Sequence, residues 1–155
     1  MRVGIGYDAH RLVAGRPLVV GGGAIDHPKG LDGHSDADVL VHAIIDALLG
    51  AAALGTIGEH FPDNDPNYEG ISSLELLSMT AALVEDHGRT IVNVDSVVIA
   101  EAPRLQPHLS RMARAIAETL GLDQDLVGVK ATSPEGLGAL GRQEGIAAQA
   151  VVLLE

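Results

Sequence analysis

The chain contains no cysteine. Disulfides and thiolate zinc sites are therefore excluded, and any metal must be held by histidine, carboxylate and water. Aromatic residues are almost as scarce, with no Trp, one Phe and two Tyr in 155 residues. The core has to be assembled from Val, Ile, Leu and Ala, whose small volumes suit closely approaching sheets and helices. Basic residues are few: 10 Lys and Arg stand against 21 Asp and Glu, a net charge of −11. A chain with that balance lacks the basic face that a nucleic-acid backbone or an anionic membrane surface requires. A small phosphate substrate is compatible only with help, and bound metal ions are the obvious source of positive charge. Long apolar runs are missing too. The best candidate, Val39 to Leu54, is interrupted by His42 and Asp46 and is too short to span a bilayer. No linker, low-complexity run or repeat divides the chain. Its opening, M-R-V-G-I-G-Y-D-A-H, reads as a strand and not as a signal peptide. A soluble cytoplasmic protein of one domain, residues 1–155, is expected.

What is present has a clear order. Arg2–Tyr7 and Pro17–Gly21 read as strands, followed by a Gly-rich polar loop from Gly21 to His34. Asp36–Ala53 reads as a helix, because Val39, Leu40, Ala43, Ile44, Ala47 and Leu48 recur at helical spacing. Ser35 or Asp36 can cap it. Gly55–Gly70 is turn-rich. Ser72-x-x-Glu75 predicts a capping box opening a second helix that ends at Gly88. Ile91–Ala100 is β-branched. Pro107 opens a third helix that Gly121 terminates, and Leu126–Ala131 and Ile146–Leu153 close the chain as strands. This order predicts an α+β fold, a mixed sheet with helices packed on one face. The other face then needs a partner, which self-association would supply.

Asp8 and His10 lie two apart at the end of the first strand, where period two puts both side chains on one face. The pair fits two teeth of a zinc site, and it fits equally a surface pair at a strand end. His42 sits mid-helix among apolar residues, either a satisfied core histidine or a third ligand. Asp38 and Asp46 flank it four residues away on each side, and either could take its second ring N–H, as metal-bound imidazoles require. Three ligands would leave the open fourth position of a catalytic zinc. His34 and Ser35 stand where the loop meets the helix N-terminus, a place that suits capping, anion contact or both. In Phe61-Pro62-Asp63-Asn64-Asp65-Pro66 two carboxylates ride on a rigid turn, fit for hydroxyl binding or simply a turn. Thr132 and Ser133 follow a strand and can donate to phosphate oxygens, and Glu135 can hold a hard cation such as magnesium. Arg142 and Glu144 read as a structural ion pair. His60, His87 and His108 read as solvated helix-end or loop residues.

Four motifs then occur in one order: G-x-G-Y-D-x-H-R-L, H-S-D-A-D-V-x-x-H-A-x-x-D-A-L-L-G-A-A-x-L-G, F-P-D-x-D-P, and V-K-A-T-x-x-E-x-L-G-x-x-G-R-x-E-G-I-A. From Arg2 to about Leu153 the chain resembles the 2-C-methyl-D-erythritol 2,4-cyclodiphosphate synthase family of the non-mevalonate isoprenoid pathway. The resemblance implies a homotrimer with active sites between subunits. It implies that Asp8, His10 and His42 ligate zinc, with Asp8 and His10 also at the substrate. His34 and Ser133 are then the catalytic groups that steady the transition state, with Ser35 beside the substrate. Glu135 would hold magnesium or manganese. Ala100, Glu101, Ala102, Pro103, Arg104, Leu105 and Gln106 resemble the cytosine-recognition segment, acting largely through backbone groups. Thr132, Ser133, Pro134 and Glu135 resemble the part that holds the CMP phosphates. Thr56, Ile57 and Gly58, with Phe61, Pro62, Asp63, Asn64 and Asp65, resemble the methylerythritol pocket. Ala139, Arg142 and Glu144 resemble positions at the trimer axis, where isoprenoid diphosphates bind in the family. Three positions depart from the family pattern: Thr56 where Asp is usual, Ser133 where Thr is usual, and Ala139 where Phe is frequent.

The reaction so implied turns 4-diphosphocytidyl-2-C-methyl-D-erythritol 2-phosphate into 2-C-methyl-D-erythritol 2,4-cyclodiphosphate and CMP, a phosphorus–oxygen lyase step. The nucleophile is the substrate's own 2-phosphate, already an anion, which agrees with the absence of a nucleophile–base pair in the sequence. Two other readings use the same ligands. One is a zinc phosphohydrolase driven by metal-bound hydroxide. The other is a trimeric binding module with a structural zinc, which would need a fourth protein ligand.

Overall fold

The computed structural model describes residues 1–155. Seven strands form the sheets: β1 (Arg2–Ala14), β2 (Leu18–Val20), β3 (Gly23–Ile25), β4 (Lys29–Leu31), β5 (Ile91–Ile99), β6 (Val127–Thr132) and β7 (Gly145–Leu154). The helices are α1 (Val39–Ala52), α2 (Ile57–His60), α3 (Ser73–Asp86), α4 (Leu109–Leu120) and α5 (Gly138–Gly141). The main sheet has the order β4-β1-β7-β5-β6, with β2 and β3 in a separate hairpin. Only β5 and β6 run parallel; the other pairs are antiparallel. This is the mixed α+β sheet expected from the order of elements. No helix is long and apolar enough to cross a membrane.

The differences from expectation are local. β1 runs on to Ala14, so Asp8 and His10 lie inside the strand, opposite Ala148 and Ile146 of β7. The Gly-rich loop contains the two three-residue strands β3 and β4, and the 55–70 segment contains α2 and a 3-10 turn at Pro66–Tyr68. α1 starts three residues later than predicted, and its cap is Asp38, whose carboxylate accepts from Val41 N. Ser72 makes no side-chain cap on α3. The Asp36 carboxylate does this from across the fold, accepting from Ser73 N at 2.9 Å. A short 3-10 turn at Gln106–His108 precedes α4, and Gly121 ends that helix at φ 65 as expected.

The core is aliphatic, as the scarcity of aromatics demands. None of its 36 buried side chains is aromatic, and Phe61 and Tyr68 only pack on its margin. α1 lies against β1 and β7, α3 against α1, and α4 against β6. The approach of α1 to β1 is unusually close. A Cβ at Gly4 would sit 2.0 Å from the Ala47 carbonyl oxygen, and one at Gly6 would sit 1.9 Å from that of Ala43. Glycine on the strand and alanine on the helix thus let two backbones touch. The opposite face of β1 is bare: Val3, Ile5 and Tyr7 are 69%, 65% and 61% exposed, with Val151 of β7 beside Ile5.

Candidate metal centre and active site

Alternation along β1 sends Gly4, Gly6, Asp8 and His10 toward α1. The two glycines bring the helix in, and the next two side chains meet His42. Asp8 Oδ2 lies 2.8 Å from His10 Nε2 and 3.1 Å from His42 Nδ1, and the two nitrogens are 3.2 Å apart. A tetrahedral zinc with bonds of about 2.0–2.1 Å separates its ligand atoms by roughly 3.3 Å. The separations of 3.1 and 3.2 Å to His42 are close to that spacing, and the 2.8 Å between Asp8 and His10 is about half an ångström inside it. Chemically the set also fits, one carboxylate and two imidazoles with no fourth protein donor in the cluster. His10 Nδ1 donates to the Asp32 carbonyl oxygen at 2.7 Å, which leaves the Nε2 lone pair facing the cluster.

The electrostatics agree with a cation site. Burial by itself raises the Asp8 carboxyl, but the bonds from His10 and His42 outweigh it and hold the group well below the usual carboxylate range. Burial lowers His10, while the hydrogen bond and charge of Asp8 outweigh it and leave the ring above its ordinary value. Asp8 thus favours its anionic form beside two ring nitrogens, an arrangement that suits a bound cation.

The carboxylate neighbours expected for His42 serve other groups. Asp38 is fully buried and takes backbone N–H bonds from Gly21 at 3.0 Å, Gly22 at 2.6 Å and Val41 at 3.1 Å. Burial pushes its carboxyl up to about 6 despite those bonds. Asp46 accepts from Ile57 N at 2.7 Å and so anchors α2. The outer nitrogen of His42, Nε2, meets Ser73 Oγ at 2.8 Å and Ser35 Oγ at 3.2 Å. The physical reason is the ring's orientation. With Nδ1 aimed at β1, Nε2 points sideways to the start of α3, not along the helix axis where positions four residues away lie.

A cavity of about 470 Å³ opens beside the cluster. Its walls include Asp8, His10, His42, His34, Ser35, Ile57, Gly58, Phe61, Pro62, Asp63 and Asn64. Gly33, Tyr68 and Leu76 also line it, and nothing in the sequence pattern singled them out. Thr56 and Asp65 are not lining residues. Thr56 opens α2, where its N–H donates to Glu59 Oε2, and the Asp65 carboxylate accepts from Asn67 N and Nδ2. The Asp65 carbonyl accepts from His34 Nε2 at 2.9 Å, which fixes that ring at the cavity. Arg16 pins the same loop by donating to the Gly33 and Ser35 carbonyls at 2.8 and 3.0 Å.

The remaining candidates lie elsewhere on the chain. Ala100, Glu101, Pro103, Arg104, Leu105, Gln106, Thr132 and Ser133 line a second cavity of about 270 Å³ that shares no residue with the first. Ala102 and Pro134 stand within the same two segments without lining it. Ser133 Oγ donates to Glu101 Oε2 at 3.2 Å and accepts from Glu135 N, and Glu135 holds φ 55 with its carboxylate unpaired. Ala139 borders a shallow depression with Ala9, Arg11 and Glu144, and Arg142 pairs with Glu144 at 2.7 Å on the surface. His60 donates to the Leu54 carbonyl and His87 to that of Leu83, both local contacts.

Known proteins are similar to the chain along its whole length. The profile of the YgbB family matches residues 1–155. The chain belongs to that family. A 2-C-methyl-D-erythritol 2,4-cyclodiphosphate synthase from Syntrophomonas wolfei is 59% identical over 155 residues, covering 100% of this chain and 99% of its own. The bifunctional IspDF of Campylobacter jejuni superposes with a TM-score of 0.95 at 42% identity, over 99% of this chain and 42% of that one. A 2C-methyl-D-erythritol-2,4-cyclodiphosphate synthase solved with CDP gives a TM-score of 0.91 at 40% identity, over 99% of this chain and 100% of that one.

Proposed function

We propose that this chain is a cyclodiphosphate synthase, converting 4-diphosphocytidyl-2-C-methyl-D-erythritol 2-phosphate to 2-C-methyl-D-erythritol 2,4-cyclodiphosphate and CMP in the non-mevalonate pathway. The observation that carries the reading is the convergence of Asp8, His10 and His42 on one point at the wall of a substrate-sized cavity. Family membership at 59% identity makes the same assignment from an independent direction.

Zinc, held by Asp8, His10 and His42, would supply Lewis-acid charge for phosphoryl transfer. The rest of the chemistry belongs to the chain's own side chains. His34, with one nitrogen committed to the Asp65 carbonyl, has Nδ1 left for substrate. Phe61, Pro62 and Ile57 give the cavity apolar walls, and Asp63 and Asn64 offer acceptors and donors for hydroxyl groups. Holding the two phosphates of one molecule together supplies up to ~7–11 kcal/mol of the barrier through proximity. The second cavity suits the cytidine end: backbone groups of 100–106 read the base, while Thr132 and Ser133 bind phosphate. Glu135, one unpaired carboxylate, would hold magnesium or manganese together with substrate phosphates.

The metal donors line one cavity and Thr132 and Ser133 the other, with Glu135 beside Ser133, so the reaction needs the two brought together. A homotrimer that places the second cavity of one subunit against the first of its neighbour joins them. The bare apolar strip of Val3, Ile5, Tyr7 and Val151 gives such an assembly a surface to bury. Arg142 and Glu144 then lie near its axis. The enzyme works in the cytoplasm as a phosphorus–oxygen lyase.

The test is phosphorus NMR of the purified protein with the cytidyl substrate, zinc and magnesium. CMP and a cyclic diphosphate should appear together. A linear phosphate carrying oxygen from labelled water would instead make the protein a hydrolase, and no turnover would overturn the reading.

A further inference from the structure

His42 presents a problem of proton placement. A neutral imidazole carries one ring proton, and Asp8 Oδ2, 3.1 Å from Nδ1, attracts that proton to the nitrogen that has to bind a metal. Something must hold it on Nε2. The groups at Nε2 are the fully buried Ser73 hydroxyl at 2.8 Å and the Ser35 hydroxyl at 3.2 Å.

The direction of the Ser73 bond is decided by Asp36. Both Asp36 oxygens already accept backbone N–H groups, Oδ1 from Asp38 at 3.2 Å and Oδ2 from Ser73 at 2.9 Å. Both oxygens so placed act as acceptors. The carboxylate also contacts Ser73 Oγ through Oδ1, so the hydroxyl has to donate to it. A serine whose proton is committed offers His42 only a lone pair. The Nε2 nitrogen must then be the donor, and Nδ1 keeps its own lone pair. Ser35 is compatible with that choice, since its Oγ accepts from Ala37 N and has a further lone pair within reach of Nε2.

We infer that Asp36 and Ser73 are positioning residues for His42, a carboxylate–hydroxyl relay that draws its proton to Nε2 and leaves Nδ1 free to ligate. The inference rests on the metal reading above and adds residues that touch neither metal nor substrate. Asp36 has a second job in the same contact, since it caps α3 through Ser73 N. The cap and the relay therefore place the start of α3 against the metal ligand.

The test measures zinc dissociation constants of the full chain by competition with a chromophoric chelator, for the parent, Ser73→Ala, Asp36→Asn and the double variant. Ser73→Ala and Asp36→Asn should each weaken zinc binding 10–100-fold, the range for lost outer partners of a liganding histidine. Because the two act in series, the double variant should bind no more weakly than the worse single one. In the cobalt-substituted parent, each liganding imidazole should show an exchangeable N–H resonance. The one from His42 should exchange faster in Ser73→Ala, and the one from His10 should not change. If Asp36→Asn fails to fold for want of the α3 cap, Ser73→Ala and the cobalt spectrum decide. A Ser73→Ala affinity within twofold of a parent that binds one zinc would overturn the relay, as would losses that multiply in the double variant. A parent that binds no zinc overturns the metal reading itself, and the relay with it.

Discussion

Gly6→Ala should damage stability and metal binding together. The new Cβ would lie 1.9 Å from the Ala43 carbonyl oxygen and 2.7 Å from Ala47 N, and real Cβ contacts below 3.0 Å essentially never occur. Both opposing atoms are backbone, so no rotamer change relieves the clash, and α1 has to recede by at least about 1 Å. Overpacking a core usually costs ~1–3 kcal/mol. Here the upper end applies, because α1 is the most buried helix and carries its neighbours with it. For a chain of this size about 3 kcal/mol lowers Tm by roughly 6–12 °C. The same retreat moves His42, which adjoins Ala43, away from Asp8, which lies two residues beyond Gly6. Thermal melts followed by circular dichroism and zinc content per chain by mass spectrometry read both effects. Gly50→Ala is the control. It lies in the same helix, where an added Cβ finds nothing nearer than the Ile5 carbonyl oxygen at 3.8 Å. Relief of glycine's backbone entropy should stabilise that variant by ~0.5–1 kcal/mol. A Gly6→Ala protein that melts within a couple of degrees of its parent (about 2 °C, under 1 kcal/mol) with full zinc would refute the backbone-contact argument.

Three further outcomes are expected. His42→Ala should reduce zinc content and cyclase turnover together, and full turnover in a zinc-free variant would defeat the metal assignment. Asp38→Asn should destabilise the fold by ~1–3 kcal/mol in urea melts, because an amide must set its NH2 against one of the N–H groups of Gly21, Gly22 and Val41; an unchanged midpoint would show that those bonds carry little. Glu135→Gln should raise the magnesium concentration needed for half-maximal turnover, and an unchanged magnesium dependence would remove Glu135 from the site.

Much of the metal cluster was legible in the chain. Period two places Asp8 and His10 together, and a histidine inside an apolar helix announces the third donor. The end of β1 is hidden in the sequence by the same two residues. Asp8 and His10 occupy inward positions where an apolar side chain would mark a continuing strand, so the pattern fades at Tyr7 although the strand does not. β3 and β4 are three residues long and carry too little alternation to register. The outer partner of His42 is not legible in the sequence, because nearness along a helix is not contact. Asp38 sits at the cap, where orphan N–H groups of the first turn and of the Gly21–Gly22 turn use up both its oxygens. Ser73, the actual neighbour, is 31 residues away in sequence. Only the packing of α3 on α1 brings it in.

The contacts between β1 and α1 form one series in which the last member is chemical. Gly4 faces Ala47 and Ala51, Gly6 faces Ala43 and Ala47, and Asp8 faces His42. The first two steps hold by backbone contact. The third brings a carboxylate and two imidazoles together, with the Asp8 carboxyl held well below the usual carboxylate range. A metal ion bound there ties the N-terminal part of α1 to β1 as well as serving the reaction. Stripping the metal should therefore lower stability, by about 4 kcal/mol when free zinc stands at a thousand times its dissociation constant. For this chain length that is a Tm difference of roughly 8–16 °C between zinc-loaded and chelator-treated protein. His42→Ala should melt at one temperature with and without chelator, because its third step is already broken. Identical melting of loaded and stripped parent would mean that the ion, if bound, does not bridge strand and helix.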